Sequence, residues 1–255
     1  MAIRAVIFDL DGVVTDTAEA HRHSWKALFD DYLQQRAKRE KEEFVPFDVE
    51  SDYLSYVDGR PRYMGVKTFL ESRKINLPQG NPEDSPDQET ICGLGNKKNL
   101  LFQETLEQEG VDIIDSTLEW IQALKESGIQ VAMATSSKNG PRVLQKSNLT
   151  QLFAKTVDGN DIQEMDLKGK PEPDMFLEAS KRLGVPAIDC AIVEDALSGV
   201  RAGQKGHFGA VIGFVRANTE KALKANGADV AVDDLRTLKL SLLEDIQKNK
   251  MEVHE

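Results

Sequence analysis

The stretch "VIFDLDGVVTDT", residues 6–17, runs an apolar segment straight into three aspartates, Asp9, Asp11 and Asp16. Residues 3–8, "IRAVIF", read as a buried strand, because a short apolar run rich in β-branched residues fits a sheet covered on both faces. Asp9 then stands at the carboxyl end of that strand. In open α/β sheets the ligand crevice lies outside the carboxyl ends of the strands. Any one aspartate after a strand is as readily a turn or helix-cap residue. What decides the reading is whether other strands end the same way.

They do. From Ile113 onward short apolar strands alternate with amphipathic helices: helix "STLEWIQALKESG" with a Ser cap and a Gly stop, strand "IQVAMATSS", a short strand in "FAKTV", helix "DMFLEASKRLG", strand "CAIVED", helix "SGVRAGQKG", strand "AVIGFV", helix "TEKALKANG" and strand "DVAV". This alternation implies parallel crossover units, so the expected fold class is α/β, a Rossmann-like doubly wound parallel sheet. Thr135, Glu194 and Asp195 each end an apolar strand and should converge with Asp9 on one edge. Between the first strand and this core lies a different texture. "TAEAHRHSWKALFDDYLQQRAKREKE" spaces Trp25, Leu28, Phe29, Tyr32 and Leu33 as a helix does, and "LPQGNPEDSPDQE" reads as a surface loop. The expected organisation is therefore a core of residues 1–17 and 110–255 with an inserted α-helical cap domain of residues 18–109.

Composition narrows the partners. The chain of 255 residues is 40% apolar and 29% charged, with a formal net charge of −11. That acidity argues against nucleic acid or an anionic membrane surface, which require a basic footprint. A small anionic substrate remains compatible if local cations offset the global field. Cys92 and Cys190 are too far apart for a metal or redox pair and read as reduced thiols. No apolar leader opens the sequence and no run approaches a membrane span, so a cytoplasmic setting is expected. A monomer is expected because no strongly apolar surface segment is visible.

Four ordered stretches, "FDLDGVVTDT", "MATSSKNGP", "KGKPEPDMF" and "IVEDALSGV", resemble the motifs of the haloacid dehalogenase-like phosphotransferases. With "TDTAEAHRHSWKAL" and "SSKNGP" they resemble most the β-phosphoglucomutase-like family. The resemblance covers about Ile3 to Ala20 and Ile113 to Val232, and is scattered across the helical insert. It implies that Asp9 is a nucleophile forming an aspartyl-phosphate and that Asp11 is its general acid/base. It further implies that Thr135 hydrogen-bonds the transferred phosphoryl group and that Lys170 holds the nucleophile while offsetting phosphate charge. Lys168, two residues earlier, is a rival. Mg²⁺ is implied as cofactor, held by Asp9, the backbone carbonyl of Asp11, Glu194 and Asp195. The chemistry suits these types: an anionic phosphate ester repels a carboxylate unless positive charge lies close by. Gly12 suits the tight turn that follows.

For substrate binding the resemblance implies Ser136, Ser137, Lys138 and Asn139 after the second strand, and His21, Trp25, Arg62 and Lys98 in the cap. Arg60 and Lys97 are rivals for the last two. His21 reads equally as a coupler of cap closure to Asp11 or as a local hinge residue, and Trp25 as a sugar contact or as packing. The activity implied is conversion of β-D-glucose 1-phosphate to glucose 6-phosphate through β-glucose 1,6-bisphosphate, the cap excluding water. A sugar-phosphate phosphatase on the same scaffold is the alternative. A non-catalytic phosphosugar-binding protein is the third reading, disfavoured because a binder has no use for a nucleophile paired with an acid/base.

Overall fold

The computed structural model describes residues 2–253. The elements run β1 (Ala5–Phe8), α1 (Ala18–Glu40), a π-helical turn (Tyr53–Val57), α2 (Arg62–Ser72), α3 (Ile91–Glu109), α4 (Asp115–Glu126), β2 (Gln130–Ala134), α5 (Gly140–Lys146), β3 (Lys155–Val157), α6 (Gly159–Glu164), α7 (Asp174–Leu183), β4 (Cys190–Glu194), α8 (Leu197–Lys205), β5 (Ala210–Phe214), α9 (Glu220–Ala225), β6 (Val230–Val232) and α10 (Leu240–Val253). They form two compact units, Met1–Asp16 with Val111–Glu255, and Thr17–Gly110.

The first unit is built on a six-stranded sheet in the order β3-β2-β1-β4-β5-β6, parallel throughout. Chain order runs outward one way through β1, β2 and β3 and the other way through β4, β5 and β6. The reversal point therefore falls at β1, beside which both β2 and β4 are paired, Phe8 lying level with Met133 and Val193. Strands β1, β4 and β5 are buried at every position, as expected where helices cover both faces. α7 places Met175, Phe176, Ala179 and Leu183 into the core cluster around Ile7, Ala132 and Ile192, and Gly184 closes it at φ 68°, a left-handed cap that costs glycine little.

The second unit is helical and carries its own core. The apolar stripe of α1 is buried, and Phe29 packs its ring 4.1 Å from Phe69 and 5.1 Å from Phe47. The long loop between α2 and α3 is secured by local polar contacts. Thr90 caps α3 by accepting from Gly93 N at 2.9 Å and donates to Asp84 at 2.6 Å.

One local expectation needs correction. Ser116 does not cap α4: the helix begins at Asp115 with Ile114 in the capping position and no side-chain cap. Thr117 instead donates its buried hydroxyl to Val13 O at 2.6 Å, tying the start of α4 to the loop after β1. The helices α5, α6 and α10 are additions to the sequence reading. α5 and α6 have seven and six residues, too short for a periodic signal.

Cys190, on β4, is wholly buried and donates weakly to Val185 O, and burial pushes its thiol up to about 12. Between its ordinary value of 9.0 and that raised value the folded protein holds a proton the unfolded chain releases. The resulting stability is complete below pH 9 and drains away as pH climbs toward 12. At pH 8 the native thiolate fraction is then about one in ten thousand, and iodoacetamide should label Cys190 only after denaturation. Peptide mass mapping of native and urea-treated samples measures this; equal labelling in both would contradict the burial.

Candidate functional site

β1, β2 and β4 are adjacent, so whatever follows each of them meets at one edge. Asp9 follows β1, its backbone N donating to Val193 O at 3.0 Å, and Thr135 follows β2, its N donating to Val157 O at 2.9 Å. Glu194 is the last residue of β4, with Asp195 next. Strands roughly 4.8 Å apart thus present polar groups within reach of one another.

Lys170 joins them. Its Nζ donates to Asp9 Oδ1 at 2.6 Å and to Glu194 Oε1 in a shorter contact, and it lies 5.1 Å from the centre of the Phe176 ring. All three residues are buried. Lys168, by contrast, is exposed, and its backbone N donates to Asp174. Glu194 is further fixed because its Oε2 accepts from Ala196 N at 2.8 Å. Gly199 on α8 leaves room for it: a Cβ there would stand 1.8 Å from Glu194 Oε1. Asp195 is held by its backbone, where Asn218 donates to the carbonyl at 2.9 Å. Its carboxylate lies against the turn after Asp11. A Cβ on Gly12, whose φ is +85°, would come within 2.2 Å of Asp195 Oδ2.

Burial raises the Asp9 carboxyl well above the usual range, opposed by Lys170 and reinforced by Glu194 and Asp11. For Lys170, burial works against the charge, but Asp9 and Glu194 outweigh it and its affinity for the proton is raised. Lys170 is therefore the fixed charge of the pair, and the carboxylates Asp9, Asp11, Glu194 and Asp195 outnumber it. A donor set so short of positive charge suits a hard cation. Among the described residues no cluster of three or more His, Cys, Asp or Glu side chains is arranged to hold a metal. Glu194, counted from sequence among the donors, turns its oxygens to Lys170 and Ala196 N, leaving Asp9, Asp195 and a backbone carbonyl. That sparse set fits Mg²⁺, which keeps several of its waters.

The loop after β2 forms a second cluster in this unit. Thr135 Oγ1 accepts from Ser137 N at 3.1 Å and lies 3.4 Å from Asp11 Oδ2, a long contact. Ser137 Oγ accepts from Asn139 N at 3.1 Å, Ser136 contacts Met175 Sδ at 3.7 Å, and Lys138 Nζ donates to Gln163. Gly159 allows this close approach: a Cβ there would lie 2.7 Å from both Lys138 N and Ser136 O.

The remaining predicted residues, His21, Trp25, Arg62 and Lys98, lie in the helical unit. Lys98 is 3% exposed, its Nζ 2.6 Å from His21 Nδ1 and 4.5 and 5.1 Å from the Phe102 and Trp25 ring centres. His21 stacks on Phe102 with centroids 4.0 Å apart. Trp25 is 4% exposed and stacks on Phe29, so packing is its structural role. Lys97 points elsewhere, donating to Asp31 at 2.5 Å. Arg62, on the first turn of α2, is half-buried, with its Nε buried and lacking a hydrogen-bond acceptor among the described residues. Burial lowers its pKa. Arg60 donates to Ser55 O in a long contact of 3.5 Å.

Phe102, Phe176, Gly199 and Asn218 were not singled out from sequence. Gly199 lies inside "IVEDALSGV" and could have been found there. Asn218 follows β5 in an ordinary polar turn and carries no local signal.

The family model described as haloacid dehalogenase-like hydrolase matches residues 3–207. A relative named Beta-phosphoglucomutase from Mycobacterium bovis is 45% identical over 239 residues, spanning 92% of this chain and 91% of its own length. Another of that name from Bacillus subtilis is 31% identical, with 94% of each chain covered. The crystal structure of beta-phosphoglucomutase from Clostridium difficile superposes with a TM-score of 0.73 at 23% identity, covering 98% of this chain and 99% of that one. At that identity the likeness speaks for the fold.

Gly12→Ala would force a side chain into a left-handed conformation and against Asp195. We expect a loss of about 1–3 kcal/mol in urea denaturation. An unchanged midpoint would mean that Asp195 moves aside at no cost.

Proposed function

Because the chain belongs to the haloacid dehalogenase-like hydrolases, within their β-phosphoglucomutase-like branch, we propose that it converts β-D-glucose 1-phosphate to glucose 6-phosphate with Mg²⁺. It is an enzyme that transfers or hydrolyses phosphoryl groups. The observation that carries the reading is the buried Asp9–Lys170 pair at the sheet edge, with Asp11 two residues along the same turn. One carboxylate is held for attack and a second stands close enough to handle protons.

In the first half-reaction the substrate's 6-hydroxyl attacks phosphorus of Asp9-phosphate. Its proton passes to Asp11 and the bond from phosphorus to Asp9 breaks, giving the 1,6-bisphosphate. After the bisphosphate reorients, Asp9 attacks the 1-phosphate, and the departing oxygen at carbon 1 takes the proton back from Asp11. Thr135 donates its hydroxyl to a phosphoryl oxygen, and Lys170 holds Asp9 in line. Mg²⁺, held by Asp9, Asp195 and the carbonyl of Asp11 with Glu194 behind them, would offset the charge of the transferring group. Ser136, Ser137, Lys138 and Asn139 are proposed to bind substrate phosphate. Arg62 is proposed for the phosphate not being transferred and Lys98 for the transferring group, with His21 beside Lys98.

A mutase rather than a phosphatase is favoured by those cap cations, which suit a substrate with a second phosphate, and by the names of the relatives above. The proposed setting is cytoplasmic and the working unit a monomer. Among the described residues no helix is long and apolar enough to cross a membrane.

Phosphorus NMR of the protein with Mg²⁺, β-glucose 1-phosphate and a trace of bisphosphate should show glucose 6-phosphate without free phosphate. Accumulating free phosphate instead would assign a phosphatase. Asp9→Asn should abolish covalent phosphorylation, and Asp11→Asn should lower turnover by about a hundredfold or more. With Asp11→Asn, Mg²⁺ affinity by calorimetry should hold, since the metal contact is assigned to the backbone. A collapse of that affinity would overturn the division of roles.

A further inference from the structure

The half-buried guanidinium of Arg62 does not hang from α2 unsupported. It lies over the ring of Tyr63, 5.2 Å from the centroid. Tyr63 OH in turn donates to Asn96 Oδ1 on α3 at 2.9 Å. Asn96 spends its two amide hydrogens on the loop between α2 and α3, donating to Pro82 O and to Asp84 O, each at 2.9 Å. Every donor of that amide is thus used and its oxygen is taken by Tyr63, so the side chain has one orientation. Gly95 makes the contact possible, because a Cβ there would stand 2.6 Å from the Tyr63 ring and 3.5 Å from Arg62 Cγ.

On the other side, the segment leading into Arg62 is equally restrained. Asp58 N donates to Tyr53 O at 3.0 Å, closing the π-helical turn, and Thr68 on α2 donates to Tyr56 O at 2.6 Å. The short segment from Asp58 to Pro61 therefore leaves a fixed turn and enters a fixed helix. Arg62 is held over a braced ring, with one buried N–H still lacking an acceptor among the described residues. A rigid donor with an unused hydrogen is preorganised for an anion rather than for a protein partner.

We propose that Tyr63 and Asn96 are positioning residues that fix Arg62 for the phosphate it grips, and that the 78–90 loop acts on substrate affinity through them. The proposal rests on the mutase reading for the identity of that phosphosugar. It requires neither residue to touch substrate. Removing the brace leaves Arg62 charged but free to sample other rotamers, and binding of the phosphate then carries the cost of ordering it.

The test uses the full chain with Mg²⁺ and the variants Asn96→Ala, Tyr63→Phe and Tyr63→Leu. For β-glucose 1-phosphate, KM should rise about 5- to 20-fold while kcat stays within about twofold. Tyr63→Phe, which keeps the ring, should fall between wild type and Tyr63→Leu. Acetyl phosphate, which has no second phosphate, should be hydrolysed by all of them at the wild-type rate. A parallel loss on acetyl phosphate would mean general damage and overturn the proposal, as would an unchanged KM. Should a variant be too unstable for kinetics, Tyr63→Phe in an Asp9→Asn background is titrated with glucose 6-phosphate by calorimetry. A weaker Kd supports the brace and an unchanged Kd overturns it. Failure of wild-type protein to turn over β-glucose 1-phosphate, with that Kd shift intact, would defeat the mutase reading and leave the brace standing.

Discussion

The ammonium group of Lys170 stands between two buried carboxylates, Asp9 and Glu194, which the sheet brings to its central edge. Three charged side chains taken out of water cost several kcal/mol each before their attraction is counted. The arrangement persists because each has a partner, and removing one charge from such a buried pair generally costs about 3–5 kcal/mol. The net deficit of positive charge is what makes the site chemically purposeful. Lys170 satisfies Asp9 and fixes its position, but the remaining acidic groups at the edge outnumber it.

Around that interaction the backbone is shaped by absences. Gly12 and Gly199 are the positions where a methyl group would collide with Asp195 and Glu194, and Gly159 clears space beside Ser136 and Lys138. The same logic governs the helical unit. There Gly95 admits the Tyr63 ring, and Lys98 lies over the Phe102 and Trp25 rings while His21 accompanies it. Each unit thus prepares cationic and polar groups on a scaffold stabilised by its own apolar cluster.

What could be read before folding was what depends on local pattern. The buried strands ending at Asp9, Thr135 and Glu194 showed themselves as apolar runs, and the alternation after Ile113 implied the parallel sheet. "LPQGNPEDSPDQE" was visible as a loop, but not the internal bonding of Asp84, Thr90 and Asn96 that makes it rigid. The Ser116 cap failed because a hydroxyl that suits a helix start in isolation competes with where the chain must be anchored. Here Thr117 bonds Val13, more than a hundred residues away in sequence. The choice between Lys97 and Lys98 was closed to the sequence for a related reason: adjacent lysines are chemically alike until packing buries one and leaves the other on Asp31.

The sequence alone therefore determined the succession of strands and most of the helices and the residue types delivered to each strand end, because periodicity and turn chemistry are local properties. Tertiary structure alone decided which of those groups share a charge. Lys170 meets Asp9 across 161 positions and Glu194 across 24, and Asn218 reaches the carbonyl of Asp195 from a loop with no motif of its own. Such pairings follow from the order in which strands sit side by side, and strand order depends on the packing of the whole sheet rather than on any window of residues.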